Sequence, residues 1–301
     1  MTFLKMLLAA LALLLIPAVA GAQARSDDFG VLVMAHGGGP AWNSEVEAML
    51  EPLRRDYRLE IAFGMATPGT IQAAAERLEA RGARRIAVVR LFISGESWLE
   101  RTEQILGLRP GAPPRPEGGA HGEHGAHGGH DMSLWRIESD ARFALSREGL
   151  ADAPEMGAVL VDRVRAVSRE PARETVLVLA HGPEDDEENA RWIRQIGARA
   201  AAIRDHADFR AVHVESLRED WPEKRAESEA RIRALAAEAT QDGGRLIVIP
   251  YRVSGFGPYA RVLEGIDYEA DRRGLVPSAE VEQWIRRQAE QLRTALAAPA
   301  A

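Results

Sequence analysis

Two histidines, each followed by glycine, open corresponding stretches of this chain: VLVMAHGGGP at 31–40 and VLVLAHGPED at 176–185. In both, a β-branched and aliphatic run gives way to Ala, His and Gly, which predicts that His36 and His181 sit where a buried strand breaks into a loop. A neutral imidazole in such a place can ligate a borderline divalent metal or accept a proton. The adjoining glycines let the backbone turn sharply or approach a ligand closely. The repeat continues downstream, where IAVVRLFISGESW (86–98) and LIVIPYRVSGFGP (246–258) both read as buried strands ending in Ser-Gly. Ser94, Gly95, Ser254 and Gly255 are therefore candidate substrate-binding positions.

A second group of imidazoles lies between the repeats. Residues 109–131, RPGAPPRPEGGAHGEHGAHGGHD, are Pro- and Gly-rich and read as a disordered loop, with His121, His124, His127 and His130 at every third position. Imidazoles with an ordinary pKa of about 6.5 are mostly neutral at pH 7 and suit Zn, Ni, Cu or Co. The competing reading is a functionally silent linker. The chain has no cysteine, so disulfides and thiolate metal sites are both excluded.

The elements that must position these residues alternate strand and helix. Residues 31–35 read as a strand covered on both faces, followed by a helix over 45–53 with Val46, Met49, Leu50 and Leu53 at helical spacing. A strand over 59–63, a helix over 70–80 ended by Gly82, and a strand over 85–92 complete the first half. The second half repeats the order: a strand at 176–180, a helix over 186–204, a strand at 209–214, a helix over 222–239 and a strand at 245–251. This is the pattern of an α/β fold with parallel sheets and helices on both faces. Ligands of such sheets gather beyond the carboxyl ends of the strands, which is where both histidines and both Ser-Gly pairs fall.

Length and composition bound the rest. The 301 residues suit two α/β halves of roughly 100–200 residues each, expected at 25–168 and 169–301. Ahead of them, Lys5, the apolar stretch from Met6 to Ile16, and Ala-x-Ala patterns ending at Ala24 read as a cleavable signal peptide over 1–24. The expected location is periplasmic or secreted, with no lasting membrane anchor. Cleavage removes only Lys5 among charged side chains, so the formal net charge moves from −7 to −8. An acidic chain without a basic stripe is not expected to bind nucleic acid. Neither His-Gly turn has the spacing of a phosphate-cradling Gly-rich loop.

The chain resembles the sirohydrochlorin cobaltochelatases of the CbiX and CbiK types, within the class II chelatase superfamily. The resemblance rests on the two strand-His-Gly openings, on LEIAFGMATPGTIQAAAERLEARGARRIAVVRLFISG (59–95), and on MGAVLVDRVRAVSREP (156–171). It implies two duplicated chelatase-like, flavodoxin-like halves facing a central cleft. The cleft would take a tetrapyrrole and a divalent metal, Co2+ or else Ni2+ or Fe2+, as substrates, without ATP and without a permanently bound cofactor. It further implies that His181 contacts the metal, that Glu215 in AVHVESLRED supplies a carboxylate, and that His36 stands on the opposing wall. The chain departs from that pattern at the second histidine of each half, where Ser97 and Gly257 stand, and at Met65 in place of a first-half glutamate. Two expectations follow: a metal-inserting lyase, or a noncatalytic carrier of metal or tetrapyrrole on the same fold.

Overall fold

The computed structural model describes residues 28–116 and 133–298. The first half runs β1 (Phe29–Ala35), α1 (Pro40–Leu50), α2 (Leu53–Asp56), β2 (Arg58–Phe63), α3 (Pro68–Ala80), β3 (Arg85–Leu91), α4 (Leu99–Ile105) and β4 (Arg142–Leu145). After α5 (Met156–Arg165) the second half runs β5 (Glu174–Ala180), α6 (Asp186–His206), β6 (Ala211–Ser216), α7 (Pro222–Ala239), β7 (Arg245–Tyr251), α8 (Tyr259–Val262), β8 (Glu269–Ala270) and α9 (Ala279–Ala297). Every strand pairing is parallel, and the two four-stranded sheets share one order, β2-β1-β3-β4 and β6-β5-β7-β8. The expected α/β architecture of two flavodoxin-like, parallel-sheet halves is thus observed.

The first helix begins five residues ahead of its expected start, because Pro40 occupies its first turn with the dihedral that a helix entrance needs. β1 and β5 lie at sheet centres and are buried at every position, as their unbroken apolar runs require. The same ion pair anchors the foot of each sheet. Arg85 donates to Asp28 at 2.7 Å in the first half, and Arg245 donates to Glu174 at 2.6 Å in the second. Burial works to raise the Glu174 carboxyl. The Ser168 hydroxyl, the Arg169 and Glu170 N–H groups and the Arg245 guanidinium outweigh it and hold the group below the usual range.

Beyond β3 and β7 the chain makes a second matched pair of turns. The N–H groups of Leu150 and Ala151 donate to the carbonyls of Phe92 and Ile93 at 3.0 and 2.8 Å. Those of Leu275 and Val276 donate to Arg252 and Val253 at 2.8 and 3.1 Å. After each turn the chain crosses to the other half. α5 packs against α6 and β7, while α9 returns to pack against β3 and β4. One apolar core accordingly contains Val33 and Leu91 from the first sheet, Ile249 and Tyr251 from the second, and Trp284 from α9. Trp284 is wholly buried and its indole N–H donates to Glu148 at 2.9 Å. Exchanged helices and a shared core fix the two halves relative to each other, and hence fix the cleft between them.

Candidate active site in the cleft

The carboxyl ends of both sheets face a cavity of about 700 Å³. His36 and His181 line it from the two halves, each at the first position after its central strand. Four of the chain's six tryptophans, Trp42, Trp98, Trp192 and Trp221, also face it. Indole surface in that amount suits a flat, largely apolar ligand.

His181 is only part-exposed, and its ring meets Trp192 edge to face with centroids 4.9 Å apart and planes inclined at 79°. Burial, then the nearby Arg252 guanidinium, push its pKa down to about 4 against the opposing pull of Asp220. At neutral pH the ring therefore keeps a lone pair for a metal or a proton. Its neighbour Gly182 adopts φ +77°, where a Cβ would come within 2.8 Å of the Ser216 side chain. Only glycine fits that turn without strain.

His36 is exposed to the cleft, with Nδ1 2.7 Å from the Gly37 carbonyl oxygen. A carbonyl only accepts, so Nδ1 carries the proton and Nε2 is the ring's acceptor nitrogen. The Trp42 indole N–H donates to the His36 carbonyl at 2.8 Å and so ties the start of α1 to this turn.

The carboxylates at the cavity are Glu188, Glu219 and Asp220. Arg252 donates to one oxygen of Glu219, while the other, Oε2, is buried with no hydrogen-bond partner among the described residues. An acceptor left open beside two imidazoles suits a cation or a proton donor brought by a ligand. Glu215 stands apart from this cavity. Side chains alternate along β6, and Ser216 bonds Asn189 of α6, so Glu215 points the other way and meets Arg231 of α7 at 3.7 Å. The cleft carboxylate expected at Glu215 is instead supplied by Glu219, four residues further along the same AVHVESLRED string and past the strand end.

The two Ser-Gly pairs have different fates. Ser254 lines the cavity, whereas Gly255 turns away at φ +60°. Ser94 is buried and its hydroxyl accepts from the Glu96 N–H at 3.0 Å. Gly95 packs so closely that a Cβ would lie 2.0 Å from the Arg147 carbonyl oxygen. Beneath them the buried guanidinium of Arg90 donates to the carbonyls of Gly95 and Ser97 at 2.7 Å each, and to that of Ser146 at 2.8 and 2.9 Å. Burial pushes that group down to about 10. Ser94 and Gly95 thus brace the loop, and the residues it presents to the cavity are Ser97 and Trp98. Trp98 adopts φ +57°, a left-handed conformation that is costly for a bulky side chain and is characteristic of functional loops.

Met65 also lines the cavity, while Gly257 does not. Among the described residues no three His, Asp or Glu side chains form a metal-binding group. His121, His124, His127 and His130 lie outside the described residues. The tryptophan wall is not evident in the sequence analysis. Its signal is positional, since Trp42, Trp98 and Trp221 fall in loops or first helical turns just beyond strand ends, while Trp192 lies one turn further into α6.

The fold is a two-lobed α/β architecture that is similar to solved structures of chelatases. SirB from Bacillus subtilis with Fe3+ superposes with a TM-score of 0.61 at 15% identity, over 88% of this chain and 95% of SirB. The sirohydrochlorin chelatase SirB from Bacillus subtilis subspecies spizizenii, in complex with cobalt, gives a TM-score of 0.57 at 14% identity over 88% and 94% of the two chains. CbiX, the terminal enzyme of siroheme biosynthesis in denitrifying bacteria, gives 0.52 at 16% identity over 87% and 98%. No family model and no curated protein matches the chain. The likeness is one of fold.

Proposed function

We propose that this protein is a metal-inserting lyase that places a divalent metal, Co2+ or alternatively Ni2+ or Fe2+, into a tetrapyrrole without ATP. The observation that carries the reading is the meeting of His36 and His181, from opposite halves, in one tryptophan-walled cavity on the chelatase fold. Its volume of about 700 Å³ falls within the range of roughly 300–1,000 Å³ usual for small-molecule sites.

Insertion exchanges one divalent cation for two pyrrole N–H protons, so both a transient ligand and a proton acceptor are needed. His181 supplies either, because its surroundings keep it neutral. His36 faces the same space from the opposite wall. Glu219 balances the incoming charge through its open oxygen. Export belongs to this proposal and rests on the leader-like residues 1–24, which lie outside the described residues. So does a metal-gathering role for the four histidines of residues 121–130.

A noncatalytic metal or tetrapyrrole carrier is the second reading. It is favoured by the ligand set, which stops short of three metal-binding side chains among the described residues. Incubation of the mature protein with Co2+ and, separately, sirohydrochlorin or a free-base porphyrin distinguishes the two. Metallation seen in the ring's absorbance spectrum, faster than without protein, supports the lyase. A ring that binds but keeps its free-base spectrum supports the carrier.

A further inference from the structure

A second hollow of about 1000 Å³ adjoins the cavity and shares Ser97, Trp98, Pro183, Glu188 and Trp221 with it. Among the described residues the two spaces together are lined by eight carboxylate side chains and by two side chains of fixed positive charge, Lys224 and Arg252. Both cations are already bonded to carboxylates, Lys224 to Asp186 at 2.5 Å and Arg252 to Glu219. Two further arginines at the mouth are committed in the same way, Arg191 to Glu96 and Arg218 to Asp186. A clamp on a ligand carboxylate needs a cation that is not already neutralised; each of these four is paired with a carboxylate, and Arg252 keeps a single buried N–H, Nε, without a partner among the described residues. Its walls are instead indole.

From these facts we infer that the cleft selects a macrocycle bearing few ionised carboxylates, poorer in them than sirohydrochlorin, and that its acidic mouth concentrates the divalent cation. The inference rests on the chelatase reading and narrows the ring class that reading leaves open. A ring edged with many carboxylates meets like charge along the whole mouth, where low-dielectric walls strengthen the repulsion. A ring with few carboxylates loses nothing there and gains contact with Trp42, Trp98, Trp192 and Trp221. A cation experiences the opposite field and is drawn inward.

The test is a fluorescence titration of the full-length mature protein with uroporphyrin, coproporphyrin and deuteroporphyrin, rings of falling carboxylate number, read through tryptophan quenching. At an ionic strength of about 0.01 M deuteroporphyrin should bind at least about tenfold more tightly than uroporphyrin, and the gap should shrink to about threefold at about 0.5 M. The double variant Glu184→Lys/Glu187→Lys, at two exposed positions of the mouth, should tighten uroporphyrin and leave deuteroporphyrin nearly unchanged. Equal or tighter binding of uroporphyrin overturns the inference. So does an order that neither salt nor charge reversal alters, because ring hydrophobicity alone then explains it. Failure of all three rings to bind overturns both this inference and the chelatase reading. The expected order without Co2+ entry into the preferred ring refutes only the chelatase reading, and efficient metallation of tightly bound sirohydrochlorin refutes only the inference.

Discussion

The His181 imidazole packs edge to face with the Trp192 indole, ring centroids 4.9 Å apart, and this contact helps to close the imidazole off from water. Burial and then Arg252 bring its pKa from 6.5 to about 4 in the folded protein. Between these values the unfolded chain binds the extra proton, so stability present above pH 6.5 is lost as the pH falls toward 4. The ring is part-exposed, which discounts the full shift, and a contribution of about 1–2 kcal/mol is expected. Urea unfolding of the parent and of His181→Asn across this range checks it. The variant should lose less stability on acidification than the parent, and parallel curves would contradict the assignment.

Gly95 and Gly255 occupy equivalent places in the repeat and should respond differently to alanine. At Gly95 the new methyl would collide with the Arg147 backbone carbonyl, which cannot swing aside as a side chain could. We expect Gly95→Ala to cost about 3 kcal/mol or more. Gly255→Ala has open space around it and pays only for φ +60°, about 1 kcal/mol. Thermal unfolding of the two variants measures the difference.

Arg90→Leu should be among the most damaging single changes in the first half. It leaves the carbonyls of Gly95, Ser97 and Ser146 without their donor in a buried place, at about 3 kcal/mol or more. The loop that presents Trp98 should loosen as well, visible as faster amide exchange over residues 95–98.

Much of the fold is legible in the sequence, because it is written twice. The paired strand-His-Gly openings and the alternation of apolar runs with helical spacing fix the parallel sheets and place both histidines at the same end. The exchange of α5 and α9 is harder to read. Its trace is the echo of REGL at 147–150 in RRGL at 272–275, short strings whose importance lies in backbone bonds to the ends of β3 and β7 rather than in side chains. The site is legible at the level of strand ends and not beyond it. Which way Glu215 points depends on the pleat of β6, and which glutamate reaches the cavity depends on the left-handed turn at Arg218, φ +57°. Ser94 and Gly95 mark the right loop, but Arg90 beneath them, an arginine inside an apolar strand, is what turns them into scaffolding.

The two glutamates of that string separate the positional accounts. Glu219→Gln removes charge at the cavity and should lower the initial rate of metal insertion about tenfold or more. Glu215→Gln, on the α7 side of the sheet, should stay within about twofold of the parent. The reverse order would place the working carboxylate at Glu215.

The central claim is that His181 acts on the metal and the pyrrole protons rather than on ring binding. The most direct measurement is the rate of Co2+ insertion by His181→Ala beside its affinity for the same free-base ring. The rate should fall about a hundredfold or more, with ring affinity held within about threefold. An unchanged rate in the variant, or a parent protein that binds the ring and never metallates it, would contradict the account.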